Sequence, residues 1–162
     1  MYAQDNEIAL LDWNLQLKNQ ETLNFVKSLV QFRRDHKIFQ TGQFLTGEDK
    51  SQNGIPEVVW LGPDDGAMHW EDLEQRCIAY QLDGSDHQSS NSPEEDYRLF
   101  IIFNADAQPH SFNLPELPNE KQWYRVIDTS LPSGDDFQDL KILIGESFYR
   151  VNAPTSIVLE SK

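Results

Sequence analysis

Three features of this 162-residue chain predict a mainly β fold, an antiparallel β-sandwich or barrel preceded by one long helix. Helical spacing of apolar residues is confined to one stretch, near residues 20–36. From Phe39 onward the chain breaks into short β-type runs divided by clusters of Gly, Pro, Asp and Asn, the rhythm of a sandwich or barrel. Four Trp, nine Phe and five Tyr supply aromatic mass for a core, although only 38% of the residues are hydrophobic.

The helix comes first. On a helical wheel Phe32, Phe25, Leu29, Val26, Val30 and Leu23 cover roughly half the circumference, more than a one-sided amphipathic helix needs. Asn24, Lys27, Gln31 and Asp35 take the other side. A belt that wide implies two apolar neighbours. Arg33 projects into it, so a carboxylate or carbonyl partner is expected, because an unpaired buried charge is costly. The run Arg33-Arg34-Asp35-His36-Lys37 puts positive charge at the C-terminal pole, which suits the helix dipole, and His36 is expected to cap rather than catalyse.

The expected strands follow at 43–46, 57–61, 76–82, 97–104, 110–114, 123–128, 148–151 and 156–160. Residues 97–104 and 110–114, joined by a turn through 105–109, read as a hairpin. Its second arm alternates, with Phe112 and Leu114 on one face and Ser111 and Asn113 on the other. The first arm, Leu99-Phe-Ile-Ile-Phe103, does not, so it should be covered on both faces. One cover is the opposing sheet, the other the helix or a further domain. Residues 68–75 interrupt the pattern with a short helical turn, 83–96 form a polar loop, and 131–139 make an irregular connection.

A net charge of −14 argues against nucleic acid, whose binding rests on Lys and Arg neutralising phosphates. No stretch approaches the ~20 apolar residues of a membrane span. Cys77 is single, so an internal disulfide is excluded and a reducing, cytoplasmic setting is expected. Its apolar neighbours favour a small buried hydrophobe over a nucleophile. His36, His69, His87 and His110 are scattered without metal-ligand spacing, and GxSxG, GxGxxG and P-loop patterns are absent, so neither a metal nor a cofactor is expected.

The opening segment carries the most specific signal. Tyr2, Gln4, Asp5, Asn6, Glu7, Ile8, Asp12, Trp13, Arg33, Arg34 and His36 match the pattern that follows the last barrel strand in isoamylase-like bacterial glycogen debranching enzymes of the α-amylase superfamily. Ala3 departs from it, standing where cysteine is usual. The chain also resembles that family in the order Val58-Val59-Trp60-Leu61-x-Pro63-Asp64, then Met68, Glu71 and Asp72, then Leu99 to Asn104, then Trp123 and Val126 to Thr129. The resemblance implies a truncated barrel end over residues 1–40 and a C-terminal β-sandwich of the α-amylase type over 41–162. It implies a parent that hydrolyses α-1,6 branch linkages of glycogen or limit dextrin, with the catalytic barrel and the α-glucan as partners. Tyr2, Gln4, Asp5, Asn6 and Glu7 would then sit on the last barrel loop, where sugar-binding groups gather. They would either bind glucan or, in the case of Asp5 and Asn6, organise the loop through backbone hydrogen bonds.

No catalytic residue is expected within the chain itself. Retaining glycoside hydrolysis needs two carboxylates about 5–5.5 Å apart. The acidic pairs Asp64/Asp65, Glu71/Asp72, Glu94/Glu95 and Asp135/Asp136 lie in hydrophilic loops with no apolar wall. Uncovered apolar surface should cause self-association or partial disorder over residues 1–19. Two other classes compete: a free-standing carbohydrate-binding module using exposed Trp60, Trp70 or Trp123, and an acidic protein-interaction domain using 83–96.

Overall fold

In the computed structural model, which describes residues 10–64, 66–87, 97–118 and 120–162, the long helix is preceded by a single extra turn. That turn is α1 (Leu15–Lys18), and Asn19 divides it from α2 (Gln20–Asp35). On the wet side of α2, Gln20 donates to Asn24 at 2.8 Å and Gln31 to Asp35 at 2.7 Å, the spacing at which helix neighbours meet. The helix ends where His36 turns extended; its ring Nδ1–H donates to the Phe32 carbonyl at 2.7 Å, so the expected capping role holds. A 3-10 turn, Lys37–Gln40, follows, and the Gln40 amide donates to the Arg34 carbonyl at 2.7 Å.

Among the described residues eight strands follow: β1 (Val58–Leu61), β2 (Cys77–Asp83), β3 (Arg98–Asn104), β4 (His110–Asn113), β5 (Trp123–Asp128), β6 (Phe137–Leu143), β7 (Phe148–Val151) and β8 (Thr155–Ser161). Six form one antiparallel sheet in the order β1-β2-β3-β8-β5-β6, and β4 pairs with β7 in a second. The fold is the antiparallel, mainly β architecture that the sequence predicts.

Both faces of the large sheet are packed. Between the sheets lie Phe100, Ile102, Phe112, Trp123, Val151, Ile157 and Leu159. On the outer face Leu99, Ile101, Leu82, Val126 and Ile127 meet Phe32 of α2 and Ile38 of the 3-10 turn. The non-alternating run of β3 is explained: even positions enter one core and odd positions the other. Val126 and Ile127, though consecutive, share the outer core because β5 carries a bulge between Arg125 and Ile127. The Tyr149 hydroxyl crosses from β7 to donate to Asp128 of β5 at 2.8 Å; burial, reinforced by that carboxylate, pushes the phenol up to about 12.

Several expectations are corrected. The 97–104 and 110–114 strands are not a hairpin: β3 lies between β2 and β8, whereas β4 belongs to the other sheet. The Asn104 amide donates to the Gln108 and Asn152 carbonyls at 2.9 and 3.0 Å and its oxygen accepts from the Asp106 N–H at 2.9 Å, so 105–109 bridges the sheets. Residues 43–46 are not a strand, because the Thr46 N–H turns inward to the Glu57 carboxylate while Phe44 is almost fully exposed. The irregular connection ends before Phe137, where β6 begins. Arg33 is exposed rather than buried in the belt, since only the Phe25 and Phe32 side of α2 meets the sheet. Residues 68–75 form turns and no helix. Most of the polar 83–96 segment lies outside the described residues; its start is the end of β2 and a 3-10 turn, Gly84–His87.

Candidate functional site

Tyr2, Gln4, Asp5, Asn6 and Glu7 lie outside the described residues. Among the described residues that follow in the chain, the structure shows a long apolar face. Leu10, Leu11, Trp13, Leu15 and Leu17 are exposed, and so are Val26, Leu29 and Val30 of α2. A hollow of about 570 Å³ between the two helices is lined by Leu11, Trp13, Leu15, Leu23 and Val26. A second, of about 530 Å³, runs between α2 and the outer sheet face, lined by Phe25, Leu29, Val30, Ile101, Phe103 and Val158. The belt read from the sequence is therefore half used: one flank is docked on the sheet, and the other faces outward. Arg33 stands at the rim of the second groove.

The aromatic residues divide by role. Trp123 is buried, its ring tilted against Phe100 with centroids 6.0 Å apart, and its indole N–H donates to the Pro115 carbonyl at 2.9 Å, so it is no surface platform. Trp60 and Trp70 are exposed, edge to face with centroids 5.7 Å apart, and Trp60 lies 5.2 Å from Tyr80.

Buried carboxylates exist that sequence reading left unmarked. Glu57 is fully buried under the 46–56 loop, 2.6 Å from Lys50 Nζ, and Thr46 donates to it from both N–H and O–H. Burial alone would raise its pKa; Lys50 and Thr46 overcome this and hold it down at about 2. A general acid needs the opposite shift. Asp83 accepts from Asn53 and Ser85, each at 2.7 Å, and lies 3.7 Å from Arg98. Glu160 faces the His36 ring at 3.4 Å and joins helix to sheet. Each is committed to holding a loop or helix. Of the loop pairs, Asp64, Glu71, Asp72 and Asp135 are exposed and Asp136 is half-buried, while Asp65, Glu94 and Glu95 fall outside the described residues.

One further cluster is assembled only by the fold. Cys77 at the start of β2, Asp106 in the bridge and His110 at the start of β4 bring their Sγ, carboxylate and ring nitrogen within 4.8 Å of one another. Cys77 is buried, as expected of it, and burial, with the carboxylates of Asp106 and Asp64, pushes its thiol up. The four-residue spacing of Asp106 and His110 was the only local hint.

The isoamylase C-terminal family profile matches residues 57–160. The glycogen operon protein GlgX homolog of Mycobacterium tuberculosis is 30% identical over 155 residues, covering 91% of this chain and 21% of that protein. The isoamylase of a Flavobacterium species is 24% identical over 170 residues, 99% of this chain and 21% of that one. The chain thus spans about a fifth of the length of the curated relatives it matches. Among solved structures, the type I pullulanase of Bacillus subtilis complexed with maltose superposes with a TM-score of 0.61 at 19% identity, covering 94% of this chain and 17% of that one. The pullulanase of Bacillus acidopullulyticus gives 0.59 at 14%, covering 92% and 15%. No helix among the described residues is long and apolar enough to cross a membrane.

Proposed function

We propose, for a chain that belongs to the isoamylase C-terminal family, a non-catalytic role as the buttress of a glycogen debranching enzyme. The parent hydrolyses α-1,6 branch linkages of glycogen or limit dextrin in the reducing cytoplasm, and its acid chemistry belongs to a preceding barrel. Residues 1–40 are the last barrel loop and helix, and 41–162 the sandwich. The observation that carries this reading is the outward flank of α2, with Val26, Leu29 and Val30 exposed beside an apolar groove. Soluble surfaces rarely leave so continuous an apolar patch without a partner, and a barrel wall has the matching chemistry. Tyr2, Gln4, Asp5, Asn6 and Glu7 then line one wall of the glucan cleft, offering amides and carboxylates to sugar hydroxyls and a ring for stacking.

The decisive assay is incubation of the purified chain with an α-1,6-branched limit dextrin. No sugar release is expected; release of glucose or maltodextrin overturns the non-catalytic assignment.

A second reading is favoured by one observation, the exposed Trp60–Trp70 pair, which resembles the solvent-facing aromatics on which sugar rings stack. A free-standing carbohydrate-binding module would show a change in tryptophan fluorescence on maltodextrin titration, lost in Trp60→Ala. A flat titration removes this reading.

A further inference from the structure

We infer that Cys77, Asp106 and His110 form a binding site for a divalent transition-metal ion of the zinc class, one that ties the two sheets together at one end of the sandwich. Their potential ligand atoms, one sulfur, one carboxylate oxygen and one ring nitrogen, lie within 4.8 Å of one another. His110 Nε2 is already 2.8 Å from the Asp106 carboxylate. Ligands bound at ~2.0–2.3 Å from a tetrahedral zinc ion stand three to four ångströms apart, so small side-chain rotations suffice. A mixed sulfur, nitrogen and oxygen set of this kind suits zinc or cobalt better than magnesium or calcium, which take oxygen ligands.

The surroundings favour a cation. A cavity of about 320 Å³ opens at the cluster and is lined also by Asp64, His69, Asp72, Glu74 and Arg76. Among the described lining residues the guanidinium is that of Arg76, and it lies 3.6 Å from Glu74. The carboxylates of Asp106, Asp64 and Asp72 converge on this cavity, and their negative charge attracts a divalent ion. Three protein ligands leave a fourth position open to this cavity, where water completes the shell. On binding, the Cys77 S–H bond breaks, its proton passes to bulk water, and a sulfur–metal bond forms; the 3.0 Å hydrogen bond from Cys77 Sγ to Asn104 Oδ1 is given up, and the His110 Nε2–H that faces Asp106 is exchanged for the other ring tautomer, which frees the Nε2 lone pair for the metal. Nothing is oxidised or reduced.

The placement implies a structural consequence. Cys77 opens a strand of the large sheet, His110 opens a strand of the small one, and Asp106 lies in the segment between. An ion held by all three therefore cross-links the sandwich and binds the folded state in preference to the unfolded one.

The test is a titration of the chelator-stripped chain with Co²⁺, followed by displacement with Zn²⁺. One equivalent of Co²⁺ should bind with a thiolate-to-cobalt charge-transfer absorption, which Zn²⁺ abolishes. Cys77→Ser should remove the absorption. His110→Ala, at a half-exposed position, should weaken binding by at least about 100-fold, the upper end of what even outer-shell changes cost. Circular dichroism of each apo variant establishes that it is folded, and the unfolding temperature of the native chain should rise with Zn²⁺ but not with Mg²⁺. The inference is overturned by absence of the charge-transfer band in the native chain, or by affinity unchanged in His110→Ala. The latter is what adventitious binding to surface carboxylates would give.

Discussion

Glu57 shows how a single buried charge is turned to architecture. Its carboxylate holds Lys50 and Thr46 and so pins the loop that enters β1. Glu57→Gln should lower the unfolding free energy by about 2 kcal/mol at neutral pH, since a charged hydrogen-bonding acceptor is lost while its partners stay in place. The folded-state pKa, about 2, lies below the ordinary 4.5. The stabilisation is therefore complete above the ordinary value and fades as pH falls toward 2. Urea unfolding at pH 7 and at pH 3 should show a smaller deficit for the variant at the lower pH; equal deficits would contradict the assignment. Residue type alone does not announce such a role. Trp123 and Trp60 are the same side chain in similar β-type runs, yet one is buried against Phe100 and the other exposed on the outer face. Cys77 was legible as buried because it opens the apolar run Cys77-Ile78-Ala79-Tyr80, but its approach to Asp106 and His110 depends on a pairing of distant segments.

At the scale of elements, α2 demonstrates what periodicity can and cannot say. The apolar belt correctly located the helix, and Phe32 is buried against Tyr97, Leu99 and Ile101. Val30 belongs to the same belt and is exposed. Phe32→Ala should cost about 3–5 kcal/mol, as large-to-small changes in a core do, and detach the helix from the sheet. Val30→Ala should change stability by no more than about 0.5 kcal/mol. Thermal unfolding followed by far-ultraviolet circular dichroism compares the two; equal losses would mean that the belt is buried all round. Strand β6 escaped the sequence reading because Pro132-Ser133-Gly134-Asp135-Asp136 resembles a loop that simply continues. Phe137 becomes informative only once Phe25 and Phe32 are seen at 6.2 and 6.0 Å from it.

For the whole molecule, the balance between covered and uncovered apolar surface is the distinguishing property. The outward flank of α2 and the groove beside Phe103 should drive concentration-dependent self-association of the purified chain. Leu29→Glu combined with Val30→Glu should convert it to a monomer without loss of fold, because both side chains are already exposed. Analytical ultracentrifugation across a concentration series reads this directly. A native chain that stays monomeric throughout would count against the docking role proposed for this face.

The fold class, the long helix, seven of the eight strands among the described residues and the two-sided burial of β3 were all present in local order along the chain, because hydrophobic period and turn chemistry act between near neighbours. The exchange of β3 and β4 between different sheets, the choice of which half of the helix belt is covered, and the meeting of Cys77 with Asp106 and His110 were decided by tertiary structure alone. Those outcomes depend on which distant surfaces bury one another, and a one-dimensional pattern records a residue's appetite for burial without naming the partner that satisfies it.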